Sequence, residues 1–395
     1  MPEHQSQTAL PNTGSPQRAR TPALAESVLS ARQQQVLMLQ RTLGNRSTLR
    51  LVSSAPRVQR EGEGETAPDE TAPVERWTQT DRDMLAAFAN DEMVIGSYQA
   101  GIVPRAINHL TQPDYEQFRA LLDNASSDLE RAYICKALAA GRNLTDLSRF
   151  AGRINGRSER WLRRNLTLVN PNGGGGGVTQ QYSDSCAPTT EQALHGQFDP
   201  IYALDLRSSG NIAQQTPNAL SDPSSLANSR EAREQRNLLT NGGGALADRA
   251  TGGGAGMSDT NYRAMVNRLA NTTGISYRAR YIPTDLTWAQ AFRRMNRGLD
   301  AGISMPAGVT GSGGGGHAVL LTQREGRRYQ IHDPWTGETV WRTRDDFRNN
   351  TLNLPSGWNQ MDMIMVPSEI ELGRYSEDES VTNARVGAEL DALDV

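Results

Sequence analysis

Lysine is almost missing from this chain. It occurs once, at Lys136, so 40 of the 41 basic residues are arginine. Cysteine is nearly as scarce, with only Cys135 and Cys186. Two cysteines make no disulfide framework, and they fit a reducing compartment. No apolar run approaches the roughly 20 residues needed to cross a bilayer, so no membrane partner is expected. Met1 to Pro22 is polar and lacks an apolar signal core, which predicts no Sec-type export. Neither charge dominates: 44 acids against 41 bases give −3. That balance excludes a global electrostatic footprint for nucleic acid. There is no Cys-x-x-Cys and no histidine pair at ligand spacing, so no metal site is expected. The glycine runs lack a following Gly-Lys-Ser/Thr, so no phosphate-binding loop and no cofactor are expected.

What is abundant is glycine, at 37 of 395 residues, against a hydrophobic fraction of only 36%. The low apolar fraction predicts sizeable unpacked segments. Four clusters, Gly173–Gly177, Gly242–Gly244, Gly252–Gly254 and Gly313–Gly316, hold 15 of the glycines. Such runs are costly inside helices or strands, so they are read as loops.

The chain divides into four stretches. Residues 1–76 form a disordered leader containing one short amphipathic helix (25–43) and an acidic Gly/Pro linker. Leu29, Val36 and Leu43 repeat every seven residues within that helix, and Gly44-Asn45 stops it. Residues 77–169 form a small all-α unit. There Asp81 is expected to cap a helix carrying Leu85, and Asp114 one carrying Phe118 and Leu122. Residues 129–138 and 159–168 supply two further helices. Residues 170–368 form the main domain, with helices near Cys186, 259–270 and 288–299 and a loop-rich region at 208–256. Short β-forming runs follow at 302–306, 317–323, 328–332, 338–341 and 361–366. Glu325-Gly326 and Thr336-Gly337 are hairpin turns between them. Residues 369–395 form an acidic disordered tail. The expected fold class is α+β, with helices first and an antiparallel sheet second.

Chemistry concentrates at Cys186, in the segment Gln180-Gln-Tyr-Ser-Asp-Ser-Cys186-Ala-Pro188. A glycine run taken as flexible precedes it, and a helix begins at it, with Pro188 tolerated in the first turn. A thiol at a helix N-terminus faces unpaired N–H groups and the positive end of the dipole, which favours the nucleophilic thiolate. Position alone fits a buried structural cysteine equally well. His317 adds weight, because it opens a strand directly after Gly313–Gly316. Asp333 ends the next strand. If the two strands form a hairpin turning at Glu325-Gly326, both residues lie about eight positions from the turn and face one another. An acid there accepts the imidazole N–H and fixes its tautomer. Each residue has a plain alternative: a strand-end histidine, an Asp-Pro turn. Cys135, beside Ile134 in a helical run, reads as a buried apolar residue. His332 points to the opposite strand face from Asp333. His109 and His195 have no evident partner. Trp335, Trp341 and Trp358 read as core or cleft walls.

Gln180…Cys186-Ala-Pro, Gly316-His317-Ala-Val-Leu-Leu and His332-Asp333-Pro-Trp-Thr-Gly337 resemble the papain-like cysteine peptidases. The bacterial branch with the double-glycine peptidase domains of bacteriocin transporters is the nearest in look. The resemblance covers roughly residues 175–366. It implies a papain-like α+β fold with Cys186 as nucleophile, His317 as base and Asp333 orienting the histidine. It also implies that a glutamine before the nucleophile donates to the oxyanion; the spacing suits Gln180 slightly better than Gln181. Ala187 replaces the branch's usual glycine, and 187–316 is a long stretch between nucleophile and base. The expected reaction is amide hydrolysis of a protein substrate through an acyl-enzyme. The same machinery also serves a deamidase or an acyltransferase, and a decayed fold serves as a non-catalytic particle component. Peptidases of the resembled branch cut after paired glycines, so self-cleavage at Gly173–Gly177 stands beside the plainer reading of a linker.

Val36-Leu-Met-Leu-Gln-Arg-Thr-Leu-Gly-Asn-Arg46, continuing to Val58-Gln-Arg60, resembles the leader of proteins associated with extracellular contractile injection systems. That resemblance implies a toxin or effector cargo that contacts particle components through residues 25–60. It would reside in the bacterial cytoplasm before loading and then be delivered outside, or into a target cell, without a signal peptide.

Overall fold

The structure is a computed structural model that describes residues 76–88, 91–182, 184–208, 229–241, 257–311 and 315–368. The leader helix at 25–43, the linker, the acidic tail and the runs at Gly242–Gly244 and Gly252–Gly254 lie outside the described residues.

Among the described residues seven helices come first: α1 (Gln79–Phe88), α2 (Glu92–Ile95), α3 (Ser97–Asn108), α4 (Gln112–Asp123), α5 (Asp128–Ala139), α6 (Leu144–Ile154) and α7 (Glu159–Asn165). Their starts correct the expected caps. The Thr78 side chain accepts from the Asp81 N–H at 3.2 Å, and the Asp81 carboxylate accepts from the Thr78 N–H at 3.1 Å. At α4 the cap is Thr111, which accepts from the Asp114 N–H. In both, threonine is the cap and the acid sits three residues on, inside the first turn, where the helix dipole also favours it. Around α5 these helices bury Ile107, Phe118, Tyr133, Cys135, Leu147 and Phe150, among others, and Ile201 and Leu204 complete the cluster.

The second part begins with α8 (Cys186–Phe198), α9 (Pro200–Ser208), α10 (Arg230–Asn241), α11 (Asp259–Arg268) and α12 (Ala270–Thr273). The strands are β1 (Tyr277–Tyr281), β2 (Met305–Thr310), β3 (Gly316–Glu325), β4 (Arg328–Asp333), β5 (Glu338–Thr343) and β6 (Gln360–Pro367). Helices α13 (Trp288–Asp300) and α14 (Arg344–Arg348) are interspersed. The strands form one antiparallel sheet in the order β1-β6-β2-β3-β4-β5. The chain is therefore α+β, with helices first and an antiparallel sheet after them. Helix α10 and strand β1 are elements that the sequence patterns did not signal. Strand β2 starts three residues later than expected, because Pro306 and Gly308 weaken the β signal of the segment that pairs.

The sheet is buried on both faces, which is why β3 reads as a continuous apolar run. Ala318 and Leu320 pack with α8, α9 and α11 on one face. Val319 and Leu321 pack with α13 and α14 on the other. Two glycines set the approach of the helical part to the sheet. A Cβ on Gly96 would stand 2.6 Å from the Cα of Gly302, and Gly302 has φ +69°. Any side chain there would push the two backbones apart. Among the described residues no helix is long and apolar enough to cross a membrane.

Candidate active site

Helix α8 carries Cys186 at its first position. It is nearly buried all round, packing Ala187, Ala193, Leu194 and Phe198 into the sheet face. Its depth holds the N-terminus fixed against the sheet. Cys186 itself is half-buried and faces a cleft of about 510 Å³. His317 at the start of β3 and Trp358 line the same cleft.

The expected glycine loop before Cys186 is not loose. Gly174 and Thr339 exchange backbone hydrogen bonds at 2.8 and 2.9 Å, and Gly177 N–H donates to Gly337 O. The run is stitched onto β5 and its turn. Beyond it, Gln180 N–H donates to Pro334 O at 2.7 Å. A second tether comes from α10. Gln235 accepts from the Gln181 N–H and the Ser185 hydroxyl, both at 2.8 Å. Its amide donates to Thr179 O at 3.0 Å and Gln192 Oε1 at 2.9 Å. One fully buried side chain thus fixes the segment leading into Cys186.

His317 Nε2 bonds Asp333 Oδ1 at 2.8 Å, with both groups buried. That contact leaves Nδ1 for the thiol. Asp333 also accepts from the Trp335 N–H at 3.0 Å and the Ser356 N–H at 2.8 Å. It is thus both a turn residue and the histidine's partner. Burial works against its charge, but His317 and Ser356 hold the carboxyl below its ordinary range. Trp358 stacks on His317 with centroids 6.0 Å apart and planes 14° apart. Gly311 gives it room: a Cβ there would stand 3.0 Å from the indole.

Burial also disfavours charge on Cys186 and on His317, yet their interaction prevails. A hydrogen bond and the charge of His317, with backbone bonds at Ala318 and Ala187, bring the thiol below its ordinary value. Asp333 and Cys186 raise His317 to about 9. Each group therefore shifts the other towards its charged form, thiolate and imidazolium. Cys135 shows the opposite case: it is fully buried in α5, and burial pushes its thiol far up.

The two glutamines differ. Gln180 spends one amide N–H on Tyr182 O at 3.0 Å. The Gln181 amide is taken up by Thr179 and Glu231. Neither is among the residues lining the cleft. His332 lies on the other strand face, as expected, and its Nε2 bonds Val178 O at 3.1 Å. His195 stacks on Tyr202 at 3.8 Å and lies 3.7 Å from Asp199. Trp358 was legible only as a core or cleft wall. Gln235, Ser356 and the Ala318 backbone carried no sequence signal. The cleft also bears Asp259 and Asp362, with no lysine or arginine among its lining.

No family model matches the chain, and no curated protein matches it. Among solved structures the chain is similar to the crystal structure of the Pseudomonas avirulence protein AvrPphB. Identity is 12%, the match covers 48% of this chain and 95% of that one, and the TM-score is 0.25.

Proposed function

We propose that the chain is a papain-like cysteine peptidase acting on protein substrates. The observation that carries this reading is a thiol at a helix N-terminus beside His317, whose far nitrogen is held by Asp333 at 2.8 Å. Cys186 thiolate attacks the scissile carbonyl carbon, and the carbonyl π electrons move to oxygen. The Cys186 N–H at the helix start stabilises that oxyanion, and the family resemblance assigns the second donor to Gln180, which keeps one amide N–H beyond its bond to Tyr182 O but does not line the cleft. Gln180 suits this role better than Gln181, whose amide is already committed. His317 imidazolium gives its proton to the leaving amine. Neutral His317 then takes a proton from water as the water attacks the acyl-enzyme, releasing the acid and regenerating the thiolate. Asp333 keeps the ring in one orientation and tautomer throughout.

The delivery reading rests on the leader sequence. Residues 25–60 load the chain into a phage-tail-like injection particle as a toxin or effector. Deleting residues 1–60 should abolish co-sedimentation with the particle and leave activity on a protein substrate intact. Undiminished co-sedimentation would remove this role.

The enzymatic proposal is tested by comparing new protein N-termini in a proteome treated with wild type or Cys186→Ala. New termini with wild type alone support peptidase activity. Identical sets, with side-chain amides converted to acids by wild type alone, would replace it with deamidation.

A further inference from the structure

We propose that the cavity between α7, α9 and the Gly173–Gly177 segment is a binding site for a compact polyphosphate-bearing anion, separate from the Cys186 cleft. The cavity is about 620 Å³ and is lined by Arg160, Arg163, Arg164 and Arg207, with Asn170, Asn172 and a single acid, Glu159. That volume suits a small-molecule ligand.

The charge here is largely uncompensated. Arg163 is neutralised by Asp91 and Glu159. Among the described residues Arg207 donates to backbone carbonyls, those of Thr167 and Gly176. Arg160 and Arg164 have no carboxylate partner among the described residues, and both are exposed. Burial and the nearby charge of Arg164 depress Arg207 to about 10, against a smaller opposing pull from Glu231. Like charges are thus held together around a concavity, and a polyanion relieves that repulsion. Guanidinium groups bond phosphate oxygens in pairs, which gives geometric selectivity beyond charge.

The lining also narrows the ligand. It contains no aromatic ring, so it offers no platform for a nucleobase. Arg160, Arg164 and Arg207, lining one hollow beside the neutralised Arg163, suit adjacent phosphates better than a single carboxylate. A phosphorylated polyol and inorganic polyphosphate share this chemistry. The site also touches the segment that leads to Cys186, through the Arg207 bond to Gly176.

The test uses the full chain with tripolyphosphate as probe and sodium sulfate at matched ionic strength as control. Titration calorimetry on wild type and Cys186→Ala should give equal binding, since the site does not use the thiol. The exposed pair Arg160→Gln/Arg164→Gln should weaken tripolyphosphate binding roughly ten-fold or more. Because both side chains are exposed, this variant keeps the fold, and its thermal midpoint without ligand checks that. A third arm adds an inositol polyphosphate; tighter binding than tripolyphosphate assigns the polyol form, and weaker binding the inorganic form. Binding that sulfate reproduces at equal ionic strength, or that survives the double substitution unchanged, would overturn the proposal.

Discussion

His317 and Asp333 share a sheet face because β3 carries one extra residue within its ladder with β4. The ladder runs Glu325↔Arg328, Arg324↔Tyr329, Gln323↔Gln330, and then shifts to Leu321↔Ile331 and Leu320↔His332. Thr322 is the extra residue. Without it, period-two alternation would place His317 and Asp333 on opposite faces. With it, Asp333 comes opposite Val319 when the ladder is continued one step, and His317 is the same-face neighbour two positions on. The 2.8 Å bond between them follows from this bulge.

Asp333→Ala should lower turnover by at least roughly ten-fold, because the imidazole loses its tautomer and orientation. The pH profile supplies a sharper readout. His317 is raised to about 9 by Asp333 and Cys186, so its proton is needed up to that pH in wild type. Without Asp333 the alkaline limb of activity should move down towards the ordinary histidine value. A limb that stays in place would mean Asp333 does not hold the histidine.

Gln235→Ala leaves two buried groups unpaired, the Gln181 N–H and Gln192 Oε1, and takes one of their partners from the Ser185 hydroxyl and Thr179 O, which keep Tyr182 O and the Gln181 amide. Leaving buried polar groups unpaired costs about 1–3 kcal/mol each where water cannot reach, so a loss of about 2–4 kcal/mol is expected after local relaxation. Denaturant unfolding measures it. Because the same segment sets the Cys186 position, alkylation of Cys186 should slow as well. A variant with full stability and full reactivity would contradict the tether.

The grouping of Cys186, His317 and Asp333 was legible because each sits at an element boundary with its own local chemistry, and counting from Glu325-Gly326 brought His317 near Asp333. The bulge was not legible. Thr322 is an ordinary β-former, and its displacement is set by Gln330, whose side chain accepts from the Thr322 hydroxyl at 2.8 Å. Helix α10 was hidden inside a polar, glycine-flanked stretch, and its contact with the Cys186 segment spans 54 residues in sequence at Gln235 and Gln181. Such a pairing leaves no periodic trace. The two misplaced caps show a smaller limit: Asp81 and Asp114 favour a helix start as first-turn acids just as they would as caps, so the acid alone does not fix the boundary.

His332 predicts how the fold responds to acid. It is fully buried, its Nδ1 has no partner, and burial lowers it to about 4. The unfolded chain takes up this proton near pH 6.5, whereas the folded chain resists until about 4. Stability from this group is therefore complete above 6.5 and lost as pH falls through 4, by about 3 kcal/mol in all. His332→Gln should flatten the fall in unfolding free energy over that window. An unchanged slope would show that His332 does not supply it.

The central claim is the Cys186–His317 ion pair, and alkylation tests it most directly. Folded protein is treated with iodoacetamide at pH 6, and the label on each cysteine is followed by mass spectrometry. Cys186 should react far faster than the buried Cys135, and His317→Ala should remove that advantage. If Cys186 reacts no faster than Cys135, or if its rate is the same in His317→Ala, the thiol is not activated as described.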